Sequence, residues 1–285
     1  MFRILLISLL MNAVSPAQIK IVTTIHPVTA IVSEITGDKA VITTLLPPAA
    51  SPHTYELIPS DLNKLEEADL IIFAASDLDK WVLKYHSKKS LELFSLLPDE
   101  LKLHLSEVDK TGHEHSGVYD PHFWSDPLVV KELLPALRSE LCKVSNEYCQ
   151  LFKNNEDKFS DKLTELDEQI RNEISGIKPA NVILSHPFYQ YFFHRYGINT
   201  VAVTELSPGV EPTPKFIKKI IDVAISKKVK AIFSHKQLND KAAGIVSEST
   251  GIKMYFLDPI GGVEGRISYT DMIRYNFDII LQALK

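Results

Sequence analysis

The sequence predicts an α/β protein of two lobes, each a parallel sheet covered by helices, joined by one long rigid helix. Three observations carry this expectation. Short apolar strands alternate with amphipathic helical segments in both halves, the rhythm of parallel sheets buried on both faces. Residues 146–175 contain neither glycine nor proline. The chain has 285 residues, 45% hydrophobic and 24% charged, which is globular composition and long enough for two ordinary domains.

Residues 1–17 (MFRILLISLLMNAVSPA) carry Arg3, an apolar run over 4–10, and small residues at Ser15 and Ala17. That is the pattern of a secretory signal peptide, and the run is too short to span a bilayer. No cysteine lies near the cut to take a lipid, so a periplasmic protein beginning near Gln18 is expected. Residues 19–24 are strand-like. Pro27 suits a first helical position, and Val28, Ile31, Val32 and Ile35 recur on one face until Gly37 stops the helix. Further strands are expected at 40–46, 70–74 and 101–106. The second half repeats the pattern with strands at 182–184, 200–203, 231–233 and 254–257, and helices at 214–226, 238–248 and 269–284.

Between the halves, Tyr148, Leu151, Phe152, Phe159, Leu163, Leu166, Ile170 and Ile174 are spaced as one helical face, and Gly176 and Pro179 end it. About 30 helical residues would reach roughly 45 Å, more than one small lobe needs. The expected boundaries are therefore 18–144 for the N-terminal lobe, 145–177 for the linker helix and 178–285 for the C-terminal lobe. Cys142 and Cys149 would stand about 10 Å apart on one continuous helix, beyond disulfide reach. A break at Ser145, a plausible N-cap, would bring them together, and the sequence leaves that bond open.

The formal charge of −5 argues against a nucleic-acid partner, and two cysteines are too few for a cysteine-rich zinc module. Ten histidines are the unusual feature. Ser51-Pro52-His53 follows the second strand, the box DPHFWSDP holds His122 just before a helix, Ser185-His186-Pro187 ends a strand, and Asp258-Pro259 ends another. Ligands of doubly wound sheets bind beyond the carboxyl ends of the strands, and all four segments lie there. Each alone is weak, since a strand-end histidine is more often a hydrogen-bonded core residue and Asp-Pro a turn. Together, His53, His122, His186 and Asp258 are three imidazoles and a carboxylate, a set suited to Zn²⁺; Mn²⁺ prefers more oxygen and Cu(I) prefers sulfur. Four protein ligands close the coordination sphere, whereas a catalytic zinc keeps an open position. No HExxH or G-x-S-x-G segment occurs. Capture, without enzymatic turnover, is the reading; a metal-dependent hydrolase and a binder of an organic metal chelate are the competing ones.

The chain resembles the cluster A-I solute-binding proteins of zinc and manganese ABC transporters. The resemblance rests on IVTTIHPV with TGDKA, PHTYELIPSDLNKLEEADLIIF, DPHFWSDP, SHPFYQYFFHRYG, LSPGVEPTPK and LDPIGG, and covers essentially the whole mature chain. It implies a bilobal fold with a long rigid helix, one metal in the interlobe cleft on His53, His122, His186 and Asp258, and a monomer that serves an ABC permease with its cytoplasmic ATPase. Manganese-type members tend to carry Glu where this chain has His186, which favours Zn²⁺ over Mn²⁺ or Fe²⁺. Zinc-type members often carry a long His-rich loop before the DPH box; here His113 and His115 are a short H-x-H pair, either a weak second site or a solvated loop. His26, His86, His104, His194 and His235 are read as structural, with His26 and His235 as alternative supporting donors near the cleft. Glu205 is a candidate for orienting a ligand imidazole. Affinity should fall steeply below about pH 6, where histidine protonates.

Overall fold

Two parallel sheets of identical strand order organise the chain in this computed structural model, which describes residues 18–48, 50–85, 90–104, 119–205, 211–237 and 240–285. In the first half the elements are β1 (Ile19–Thr23), α1 (His26–Thr36), β2 (Ala40–Thr44), α2 (Pro59–Glu67), β3 (Leu70–Phe73), α3 (Ser76–Asp79), β4 (Ser90–Glu92) and α4 (Pro127–Val144). After α5 (Cys149–Ile174), the second half holds β5 (Asn181–Leu184), α6 (Gln190–Arg195), β6 (Asn199–Val203), α7 (Pro214–Ser226), β7 (Ala231–His235), α8 (Lys241–Thr250), β8 (Met254–Leu257) and α9 (Tyr269–Leu284). The sheets run β2-β1-β3-β4 and β6-β5-β7-β8. Strands β3 and β7 are buried along their whole length, as the apolar runs 70–73 and 231–233 require of strands covered on both faces, and β7 also buries Ser234 and His235 at its end.

One expected strand is misplaced. The fourth strand is Ser90–Glu92, in register with Ile71–Phe73 of β3. Leu101 closes a 3₁₀ turn, and His104 makes only an isolated antiparallel bridge to Tyr119. A three-residue edge strand reading Ser-Leu-Glu has too few positions to show a period. The expected signal peptide (1–17), His86, and the His113/His115 loop lie outside the described residues.

The linker is a 3₁₀ turn, Asn146–Tyr148, followed by the 26 residues of α5, about 39 Å of helix. Its buried stripe is Phe152, Phe159, Leu163, Leu166 and Ile170. It packs on α1 and α4 of the first half and on α9 of the second. The Asn155 amide donates to the Ile35 carbonyl (2.9 Å) at one end, and Arg274 of α9 pairs bidentately with Glu173 (2.6 and 3.0 Å) at the other. Phe159 meets Tyr269 edge-on with ring centroids 5.8 Å apart, inside one continuous core that spans both halves. Each such fully buried side chain contributes about 1.5–3 kcal/mol, so separating the halves along this helix is opposed many times over.

The bond the sequence left open is formed. Helix α4 ends at Val144, Ser145 is extended (φ −147°, ψ 92°), and the reversal brings the α-carbons of Cys142 and Cys149 to 5.0 Å in a disulfide. Ser145 holds the N-cap position of the following turn without a side-chain cap bond.

Candidate metal centre

His53 is carried by the loop after β2, where local contacts hold it. The Ser51 hydroxyl accepts from the His53 amide (3.3 Å), and the Trp81 indole N–H donates to the Pro52 carbonyl (2.9 Å). His122 follows the Asp120-Pro121 pair and precedes a 3₁₀ turn, Phe123–Ser125, whose end is capped by Asp126 at the start of α4. His186 stands directly past β5, where the Ser185 amide extends the ladder to Phe233 of β7. Two of the three candidate donors thus come from the first half and one from the second.

Their Nε2 atoms converge. His53 Nε2 lies 3.3 Å from His122 Nε2 and 3.0 Å from His186 Nε2. Donors at the corners of a tetrahedron around zinc stand about 3.3 Å apart for Zn–N bonds of roughly 2.05 Å, so both spacings from His53 are those of a metal site. Among the described residues, His53, His122 and His186 form the one group of histidine, cysteine and carboxylate side chains with that proximity.

The chemistry of the triad is set by its surroundings. Asp120 Oδ1 accepts from His122 Nδ1 at 2.6 Å and from the His122 amide at 2.9 Å. A carboxylate can only accept, so Nδ1 carries the proton and the Nε2 lone pair is aimed at the site. Burial, followed by the neighbouring His122 and His235, pushes His53 down to about 3. His186 is pushed well below its ordinary value, by burial first and then by His122, His53 and His235, with the Glu205 backbone pulling the other way. Burial thus favours the neutral, lone-pair-bearing form of both rings. The Phe188 ring forms an apolar wall, with its centroid 4.4, 4.7 and 5.7 Å from those of His122, His186 and His53.

Asp258, the expected fourth ligand, is engaged elsewhere. Its backbone is clamped by Asn276, whose Oδ1 accepts from the Asp258 amide (2.6 Å) and whose Nδ2 donates to the Asp258 carbonyl (2.8 Å). Its Oδ1 accepts from Gln237 Nε2 (3.0 Å) and from the amides of Ile260 and Gly261 (3.3 and 3.0 Å). Its Oδ2 lies 3.1 Å from Arg266 Nε. The segment folds back to make this pair through glycines at positive φ. A Cβ on Gly261 would come within 2.9 Å of the Arg266 carbonyl, and one on Gly262 within 3.1 Å of the His26 ring. His26 reaches across the halves to the Ile267 carbonyl (2.8 Å).

Three contributors went unassigned in the sequence reading. Asp120 and Phe188 each stand two residues from a histidine of the triad, a spacing visible in DPH and HPF once their contacts are known. Arg266 gave no local signal.

Over residues 21–283 the chain matches the family described as zinc-uptake complex component A, periplasmic. A Thermotoga maritima protein named for metal binding is 31% identical over 291 residues, with 100% of each chain covered. The manganese-binding lipoprotein MntA of Halalkalibacterium halodurans is 25% identical over 273 residues, covering 93% of this chain and 88% of its own. The periplasmic zinc-binding protein TroA from Treponema pallidum shares the fold, with a TM-score of 0.82 at 21% identity over 94% of this chain and 99% of its own. With this fold and this histidine triad, the chain belongs to the zinc-uptake component A family, whose members are metal-binding solute-binding proteins of ABC transporters and not enzymes.

Proposed function

We propose that the protein captures Zn²⁺ in the periplasm on His53, His122 and His186 and delivers it, as a monomer, to an ABC permease driven by a cytoplasmic ATPase. The observation that carries this reading is the convergence of three Nε2 atoms at 3.0 and 3.3 Å. Asp258 is the proposed fourth ligand, joining the ion when its carboxylate leaves Arg266. Three neutral imidazoles favour a borderline cation such as Zn²⁺, whereas Mn²⁺ selects sites richer in oxygen. Fe²⁺ lies between them in its preference for this donor set.

Calorimetric titration of the chelator-stripped chain from Gln18 onward, with Zn²⁺, Mn²⁺ and Fe²⁺ in turn, tests the proposal beside His186→Ala. Tight one-to-one zinc binding, weak manganese binding and loss in the variant support it. Tighter binding of manganese or iron would keep the transport role and replace the metal. Binding that is unchanged in His186→Ala would remove the site.

A further inference from the structure

His235 is buried beside the triad with nothing to bind. It ends β7, the neighbour in the sheet of the strand that leads into His186. It is 4% exposed, and neither ring nitrogen has a hydrogen-bond partner among the described residues. A histidine that serves only to fill a core normally satisfies at least one nitrogen, because burying both bare forfeits the hydrogen bonds water would supply. The flanking Ser185 and Ser234 hydroxyls are buried and bare as well.

The position is that of a ligand held slightly back. Its ring centroid lies 6.0 Å from that of His186, 0.6 Å beyond the widest spacing within the triad, 5.4 Å. Imidazoles on a tetrahedral zinc have centroids about 5.2 Å apart, given Zn–N bonds of roughly 2.05 Å. Between His186 and His235 lies a small cavity, also walled by Phe188 and Leu257, with room for about one water. Phe188 packs edge-on against His235 with centroids 4.7 Å apart, and it also touches all three triad rings, so His235 shares the same apolar wall. Meanwhile the Asp258 carboxylate is taken up by Arg266, Gln237 and two backbone amides.

We infer that His235 is a reserve ligand of this metal site and takes the fourth coordination position whenever the Asp258 carboxylate is paired with Arg266. The inference rests on the capture reading above. In the exchange one metal–oxygen bond breaks and one metal–nitrogen bond forms. The carboxylate passes from the metal to the guanidinium, and no proton need move because His235 already offers a lone pair. The ion then keeps four protein donors while Asp258 leaves it.

The test removes Asp258 so that the reserve ligand must show itself. Asp258→Ala is loaded with Zn²⁺, and its imidazoles are counted by X-ray absorption beside Asp258→Ala/His235→Gln and Asp258→Ala/His235→Leu. Four imidazoles in the single variant, three in both double variants, and zinc affinity lower in the double variants by at least about tenfold are expected. The count in the single variant leaves residue 235 untouched, so it stands even where a double variant folds poorly. Three imidazoles in Asp258→Ala, with no further loss of affinity on changing His235, would overturn the inference. Failure of the capture reading looks different, since wild type and His186→Ala would then bind zinc alike.

Discussion

The two lobes share one strand order and end their central strands in opposite ways. In the first sheet, β1 and β3 run into Thr24, Ala74 and Ala75, which enclose the buried Asp79. Its carboxylate accepts from the Thr24 hydroxyl (2.5 Å) and from the Ala74 and Ala75 amides (2.8 and 2.9 Å). In the second sheet, the equivalent strands β5 and β7 run into His186 and His235, which keep ring nitrogens buried and without a hydrogen-bond partner among the described residues. Even the His-Pro pair repeats, as His26-Pro27 after β1 and His186-Pro187 after β5. His26 is tied to the Ile267 carbonyl, whereas His186 meets His53. The sheet therefore decides where a ligand can stand, and the side chains packed around that place decide whether it becomes one. The first lobe presents its proposed ligands instead on loops, braced by Trp81 and by Asp120.

The largest effects should come from removing ligands. Loss of His186 or His53 should lower zinc affinity by more than about a hundredfold, since even changing an outer partner of a ligand costs 10–100-fold. Competition titrations against a chelator should show the greater loss for His186→Ala, because its strand-end position holds the donor in place without loop reordering. A greater loss for His53→Ala would break the comparison. Next in size, Asp120→Ala should weaken zinc binding by about 10–100-fold by freeing the His122 tautomer, with the fold intact by circular dichroism. Equal affinity in Asp120→Ala and wild type would show that the loop holds His122 unaided.

Away from the site, reducing the Cys142–Cys149 bond should lower stability by about 2 kcal/mol, the entropy of closing so short a loop, and leave zinc affinity unchanged. Denaturant unfolding with and without reductant reads the first part and titration the second. The smallest effect separates the lobes by pH. Burial raises Asp79 to about 6, so the folded protein holds its proton where the unfolded chain, near 3.8, has released it; its contribution is lost as pH rises from 4 to 6. Burial lowers His53 and His235 to about 3, so their contribution is lost as pH falls below 6.5. Thermal unfolding of the metal-free protein between pH 4.5 and 6.5 should therefore rise more steeply with pH in Asp79→Asn and less steeply in His235→Gln. Each change alters the slope by at most about 1.4 kcal/mol per pH unit. The same slope in all three proteins would show that neither group titrates as its burial requires.

Most of the fold was legible because burial on both faces leaves unbroken apolar runs, as in residues 70–73 and 231–233, and because amphipathic helices such as α7 repeat at a fixed period. Ser90–Glu92 escaped because an edge strand of three residues has no period to read. His53 and His186 stood out through their prolines and their positions past strands, and His122 through its DPH box alone, since the strand expected before it does not form. Arg266 and the open nitrogens of His235 were not, since both depend on what packs around them and on neither residue's own sequence context.

By itself the amino-acid sequence determined most of the strands and helices and placed His53 and His186 past strands of the two sheets, because period and punctuation are local properties of the chain. Only the tertiary structure decided that the His53 imidazole meets those of His122 and His186 at 3.3 and 3.0 Å, that Asp258 is paired with Arg266, and that Cys142 reaches Cys149. Those outcomes depend on contacts between residues far apart in the chain or on the angle of a single break at Ser145, and packing of the whole molecule sets both.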